Sequence, residues 1–149
     1  MFVFFNINVS TDTAYFTFQT STDSGSSYGI ACTNSFYEAH HYYDWSTGAD
    51  LAYDGSRDSH QSTSYILLTT HLDNGATTGC SGILNLYAPS SATYVKHWFA
   101  RTGQQYYLPT SAIDVHTAGY FNSTSAINAV NFKTDSGTFD GTIKLYGVV

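Results

Sequence analysis

Charge is scarce in this chain. Only 11% of its 149 residues are Asp, Glu, Lys or Arg, against roughly 25% in ordinary globular domains. The five Lys and Arg residues face eleven Asp and Glu, for a formal net charge of −6. That balance excludes nucleic acid and anionic membrane surfaces as partners, because both need clustered cations. Apolar runs fall short of the roughly 18 residues that would mark a membrane-spanning helix. Runs of Ala, Leu, Glu and Lys are missing, and with them the material of long helices. The chain has no GxGxxG or Walker loop, no CxxC and no HExxH, so the common signatures of nucleotide and metal chemistry are lacking.

Aromatic residues are abundant. They make up 17% of the chain, with 13 Tyr and 10 Phe, among many Ser, Thr, Gly and Asn. Tyr, Phe and Thr favour strands. Aromatic content this high can also offset the ordering entropy that leaves polar chains disordered. The composition is that of a single all-β domain spanning residues 1–149, with hydroxyls and amides in place of surface charge. Cys32 and Cys80 are expected as buried small hydrophobes, their spacing suiting no metal site.

Hydrophobic patterning places the strands. Phe2–Val9 is apolar on both faces near its start, which predicts a central or covered strand rather than a signal peptide. A chain that begins inside a strand is expected to be a module of a longer protein. Ala14–Thr20 is expected to return beside it, and Tyr28–Cys32 with Phe36–Tyr43 to form a second hairpin. Asp44–Ser62 reads as a long irregular loop of the kind that carries function or an assembly contact. Thr63–Leu72 fits a strand or a short helix. Strands follow at Cys80–Ala88, Thr93–Thr102, Ala112–Asn122, Ala126–Thr134 and Thr138–Val148, with Asn74-Gly75 and Asp135-Ser136-Gly137 as turns. The total, about nine or ten short strands, predicts a jelly-roll-like two-sheet antiparallel β-sandwich.

Candidate chemistry is thin. Of six histidines, adjacent His40 and His41 would face opposite sides of a strand, and only a distant pair such as His97 and His116 could build a metal site. Glu38, Asp44, Asp50, Asp54 and Asp58 are the carboxylates available for glycoside cleavage, but acids among Ser and Gly more commonly cap turns. Asp135/Asp140 and Asp54/Asp58 lack the spacing of a calcium loop. No catalytic, cofactor or metal residue is therefore assigned. Tyr42, Tyr43, Trp45, Tyr53, Tyr106 and Tyr107, in or beside loops, are candidates for contact with sugar rings or a protein partner.

Two stretches carry a resemblance: SGILNLYAPSSATYVKHWFART (Ser81–Thr102) and AGYFNSTSAINAVNFKTDSGTFDGTIKLYGV (Ala118–Val148). Together they are similar to a family of virion structural proteins of tailed phages, especially those of marine phages infecting cyanobacteria. The shared pattern is an APSSxxYVKH link between strands, a GYxNxTxAI segment and a closing GTIKLYG. FFNINVSTDTAYFTFQTSTDSGSSYG, near the start, resembles the family more loosely. The resemblance implies a jelly-roll-like sandwich on the outside of the virion, without catalytic residues. Relatives usually carry extra residues before the first strand, so an N-terminal attachment segment is expected to be absent here or supplied by another chain.

The expected function is thus a non-enzymatic virion decoration or appendage module, acting by multivalent contact with other capsid or tail proteins. It would assemble in the host cytoplasm, as a homo-oligomer for which analogy favours a trimer. Phe2, Phe4 and Phe5 are the expected assembly edge. The alternative is a receptor- or glycan-binding tail-fibre module that would contact a host glycan through Tyr42, Tyr43, Trp45, Tyr53, Asp54 and Arg57.

Overall fold

Between Lys96 and Gln104 every second residue is buried, while His97, Phe99, Arg101 and Gly103 face outward. This period of two, repeated along the chain, is what builds the molecule. The computed structural model describes residues 1–42, 48–106 and 111–148. In chain order its strands are β1 (Phe2–Val9), β2 (Phe16–Ser21), β3 (Cys32–Tyr42), β4 (Ala49–Tyr53), β5 (Ser59–Ser62) and β6 (Ile66–Leu67). They continue as β7 (Cys80–Leu86), β8 (Lys96–Gln105), β9 (Ser111–Phe121), β10 (Ala129–Thr134) and β11 (Phe139–Leu145). A wide sheet runs β11-β1-β7-β8-β9-β3-β4, with β5 also on β3, and a narrow one runs β10-β2-β6. All pairings are antiparallel, and the fold is a β-sandwich.

The pairing is nested. The first strand lies on the last, β2 on β10 and β3 on β9. The outer and inner pairs lie in the wide sheet and the middle pair in the narrow one, as when a long antiparallel hairpin is rolled up; this is the jelly-roll-like feature. The β7–β8 hairpin is inserted between β1 and β9.

Phe16 and Phe18 of β2 hold the two sheets together. Phe16 meets Phe4 edge-on at 5.3 Å, and Phe18 meets Trp98 at 5.0 Å and Phe121 at 5.8 Å. These contacts explain why β2 does not form the expected flat hairpin with β1. Crossing to the other sheet lets the apolar faces of both strands pack together, where side-by-side pairing would leave each uncovered.

Other expectations are also revised. Residues 32–42 form one long strand rather than half of a hairpin, and most of Asp44–Ser62 is β4, a 3₁₀ turn (Gly55–Arg57) and β5. The segment after β6 bends at residues 68–70 yet stays along β2, the amides of Leu68 and Leu72 donating to the carbonyls of Phe16 and Ala14. The assembly edge expected at Phe2, Phe4 and Phe5 is corrected. Strand β1 lies between β11 and β7, because the closing strand takes the edge. Phe4 is 1% exposed and Phe2 packs on Phe132, leaving only Phe5 partly open on the outer face. Cys32 and Cys80 are free and buried, and burial pushes each thiol up to about 12.

Lys96 is wholly buried on the inner face. Its ammonium donates to the carbonyl oxygens of Tyr94 at 2.7 Å and of Ser123 and Thr124 at 3.3 Å. Nearby, the Ile127 amide donates to the Pro89 carbonyl at 2.8 Å. The APSSxxYVKH link and the GYxNxTxAI segment, distant in sequence, therefore meet at a single buried node. Removing its only cation strands three carbonyls, so Lys96→Met is expected to lower the unfolding free energy by about 3 kcal/mol in urea titration. Lys96→Arg should not restore it, since a planar fork cannot converge on three carbonyls.

Candidate contact surface

At the far end of the wide sheet, where β3, β9 and β4 lie, the narrow sheet arrives through Leu67 of β6. A small apolar cluster of Phe36, Ile113 and Val115 sits there, with Leu67 and Tyr106 packed against it. Next to Phe36 on the same face of β3 come Glu38, only 8% exposed, and His40. Glu38 accepts from Arg57 Nη1 at 2.7 Å and faces His40 Nε2 at 2.9 Å. Arg57 also reaches Asp54 at 3.1 Å and lies over the rings of Phe36 and Tyr15, at 5.3 and 5.7 Å. The guanidinium thus lies against two carboxylates and two aromatic rings. Tyr15 completes the group through a hydrogen bond to His71.

The 3₁₀ turn delivers Arg57 to this place. Asp54 caps it, accepting from the Ser56 amide at 3.0 Å and the Ser56 hydroxyl at 2.5 Å; those bonds, helped by Arg57, hold its carboxyl below the usual 3.8. Asp58 accepts from the Phe36 amide at 2.8 Å and from the Tyr53 hydroxyl, and this second bond raises the Tyr53 pKa. Asp54, Arg57 and Asp58 of the supposed loop are therefore spent on internal contacts. They fix the corner from which Tyr53, 66% exposed, stands on the outer face of the wide sheet.

That outer face carries a continuous row in strand register: Tyr53, Tyr37, His116, Arg101, Ile83, Val3 and Lys144, one from each strand of the seven-strand path. Tyr37 stacks on His116, with rings 4.9 Å apart and 8° from parallel. Arg101 holds Asp114 bidentately, through Nε at 3.0 Å and Nη2 at 2.6 Å, and this pairing lowers the Asp114 pKa. His116 adds a 3.3 Å contact to the same carboxylate. Phe99 and Leu51 are also exposed on this side.

Of the residues singled out from sequence, the structure brings together Tyr53, Asp54 and Arg57 and leaves Tyr42 half-buried near His40. Tyr43, Trp45, Asp44 and Tyr107 lie outside the described residues. His40 and His41 do face opposite sides, the first inward and the second exposed. His97 and His116 do not converge, since they pair with Tyr120 and Arg101, four positions apart on both strands. Asp135 accepts from the Tyr15 amide at 2.8 Å. Among the described residues no three metal-ligating side chains cluster. Lys96, Arg101 and Asp114 were missed, and Glu38 was weighed only as a hydrolytic carboxylate. Alternation signalled Lys96 and Glu38, since a charged residue in phase with Trp98 or Phe36 has to be buried and paired.

Comparison with protein-family models, with curated proteins and with solved structures gives no match to this chain.

Arg57→Ala leaves the Glu38 carboxylate buried without its cation. It is expected to cost ~3 kcal/mol in urea unfolding, and Arg57→Lys should recover only part, for want of the planar fork. Burial, and then the Arg57 charge, hold His71 below its ordinary 6.5. The unfolded chain thus binds the proton more readily, so the His71 contribution is whole above 6.5 and is lost as pH falls toward the folded value. Asp54 and Asp114, held below 3.8, add a second loss at more acid pH. Urea midpoints against pH should show both limbs, and His71→Gln should flatten only the upper one.

Proposed function

We propose that this chain is a non-enzymatic structural protein of a phage virion, a surface decoration or appendage module acting through multivalent contacts with other capsid or tail proteins. The observation that carries the reading is the outer face of the wide sheet, uncovered by the narrow sheet and bearing Leu51, Tyr53, Tyr37 and Phe99 exposed among few charges. A flat, rigid surface of rings and aliphatic groups suits contact with proteins. Three of the five carboxylates weighed for hydrolysis are engaged elsewhere: Glu38 with Arg57, Asp54 in its cap, and Asp58 with the Phe36 amide. The motif stretches, which supply the link to tailed phages, form one physical node at Lys96.

A second reading, a glycan-binding module of a tail fibre, is favoured by one observation: the Tyr53 ring is largely open while its hydroxyl is held by Asp58. In that reading Tyr53 touches the sugar, and Asp54 and Arg57 position it.

Purified chain added to phage particles that lack it should bind saturably and appear as density on the particle surface by electron microscopy. The double variant Tyr37→Ser with Phe99→Ser should bind at least about tenfold more weakly while keeping its thermal transition. Glycan-array binding abolished by Tyr53→Ala would favour the second reading. New reducing ends released from host polysaccharide would overturn both.

A further inference from the structure

We infer that β11 pairs with the β11 of a second copy of this chain, antiparallel about a two-fold axis at Thr142, joining two wide sheets into one. This inference stands apart from the proposed function, since it uses only the geometry of the edge.

Among the described residues, strand β11 is the last in its sheet and pairs only with β1. From Asp140 onward most of it is exposed, and Leu145, 69% open, lines with Tyr146 and Val148 an apolar groove of about 870 Å³. Such an edge is a template for another strand. Its hydrogen-bonding phase is fixed by Met1 and Tyr146, which exchange both backbone bonds at 2.8 Å. Antiparallel pairs alternate, so in the register Val3↔Lys144 and Phe5↔Thr142 residues 144 and 142 also bond toward β1. The amides and carbonyls of Ile143 and Leu145 therefore point to the open side.

The side chains then select the register. Asp140, Thr142 and Lys144 face outward, while Phe139 and Ile143 pack into the core. A two-fold axis perpendicular to the sheet keeps faces together, so even-numbered residues must oppose even-numbered ones. Centred on Thr142, Lys144 of each copy stands opposite Asp140 of the other, in non-hydrogen-bonded pairs where side chains come closest. On the inner side Leu145 meets Phe139 of the second copy and loses its exposure, while Ile143 falls opposite Gly141. Centring on Ile143 or Gly141 separates the charges. At the other end of the sheet, β4 carries Asp50 and no cation, so it offers itself no such pair. A lysine on an edge usually discourages pairing. Here an acid four residues earlier makes the edge self-complementary, on a chain with only five cations.

Two cross-checks test this on the full chain. Analytical ultracentrifugation should find a species of twice the 16.3 kDa chain mass, weakened by added salt. Lys144→Asp or Asp140→Lys alone places like charges opposite each other and should weaken the dimer about tenfold or more. The combined variant D140K/K144D should restore it. Independently, Thr142→Cys should form a symmetric intermolecular disulfide under mild oxidation, because a non-hydrogen-bonded pair brings Cα atoms to about 4.5 Å. Lys144→Cys should not, its own counterpart lying several residues away. The buried native thiols do not compete. A monomer at hundreds of micromolar, a three-fold mass, failure of the charge swap to rescue, or linking through Cys at position 144 but not 142 would each overturn the inference.

Discussion

Three strands face eight, and the rest of the molecule follows from that inequality. A sheet is stable only when its apolar face is covered, and β10-β2-β6 covers the part of the wide sheet built by β1, β7, β8 and the near ends of β9 and β3. There the rings of Phe16 and Phe18 reach across to Phe4, Trp98 and Phe121. Beyond that reach the inner face of β3 and β9 still has to be kept from water. Leu67, the last residue of β6, covers part of it, and the 3₁₀ turn brings Arg57 across the remainder.

That second cover is polar, and its polarity is self-contained. Arg57 is shared between Glu38 and Asp54 and bounded by aromatic rings, so a charged side chain can serve as the lid of a small apolar cluster without leaving an isolated buried charge. The cost is that these groups are not available for chemistry. What they supply is rigidity at the corner that carries Tyr53, and through it one end of the row that crosses the outer face. The same economy of charge appears at Lys96, where backbone carbonyls rather than a carboxylate receive the ammonium.

The two burials differ in how visible they were in the sequence. Lys96 falls in phase with Trp98 and Ala100, and Glu38 with Phe36, so period-two alternation alone places both on the inner face. Their partners are another matter. Arg57 lies 19 residues from Glu38, and Ser123 is 27 from Lys96; no local pattern joins them. The stretch containing Asp54 and Arg57 read as a loop because its strands are short, exposed and interrupted by Gly55. Pairing with the long preceding strand β3 is what makes it regular.

From composition and alternation alone came the all-β class, the two-sheet sandwich, most strand positions in the second half and the burial of both cysteines, because these depend on which residues avoid water and on a period that is local. Tertiary structure decided which strands are neighbours. It sent β2 to the opposite sheet, put β11 rather than β1 at the edge, turned Arg57 inward and aligned Tyr53, Tyr37, His116 and Arg101 in one row. Each of those outcomes is a long-range pairing set by the competition of many apolar faces for cover, and no window of sequence contains that competition.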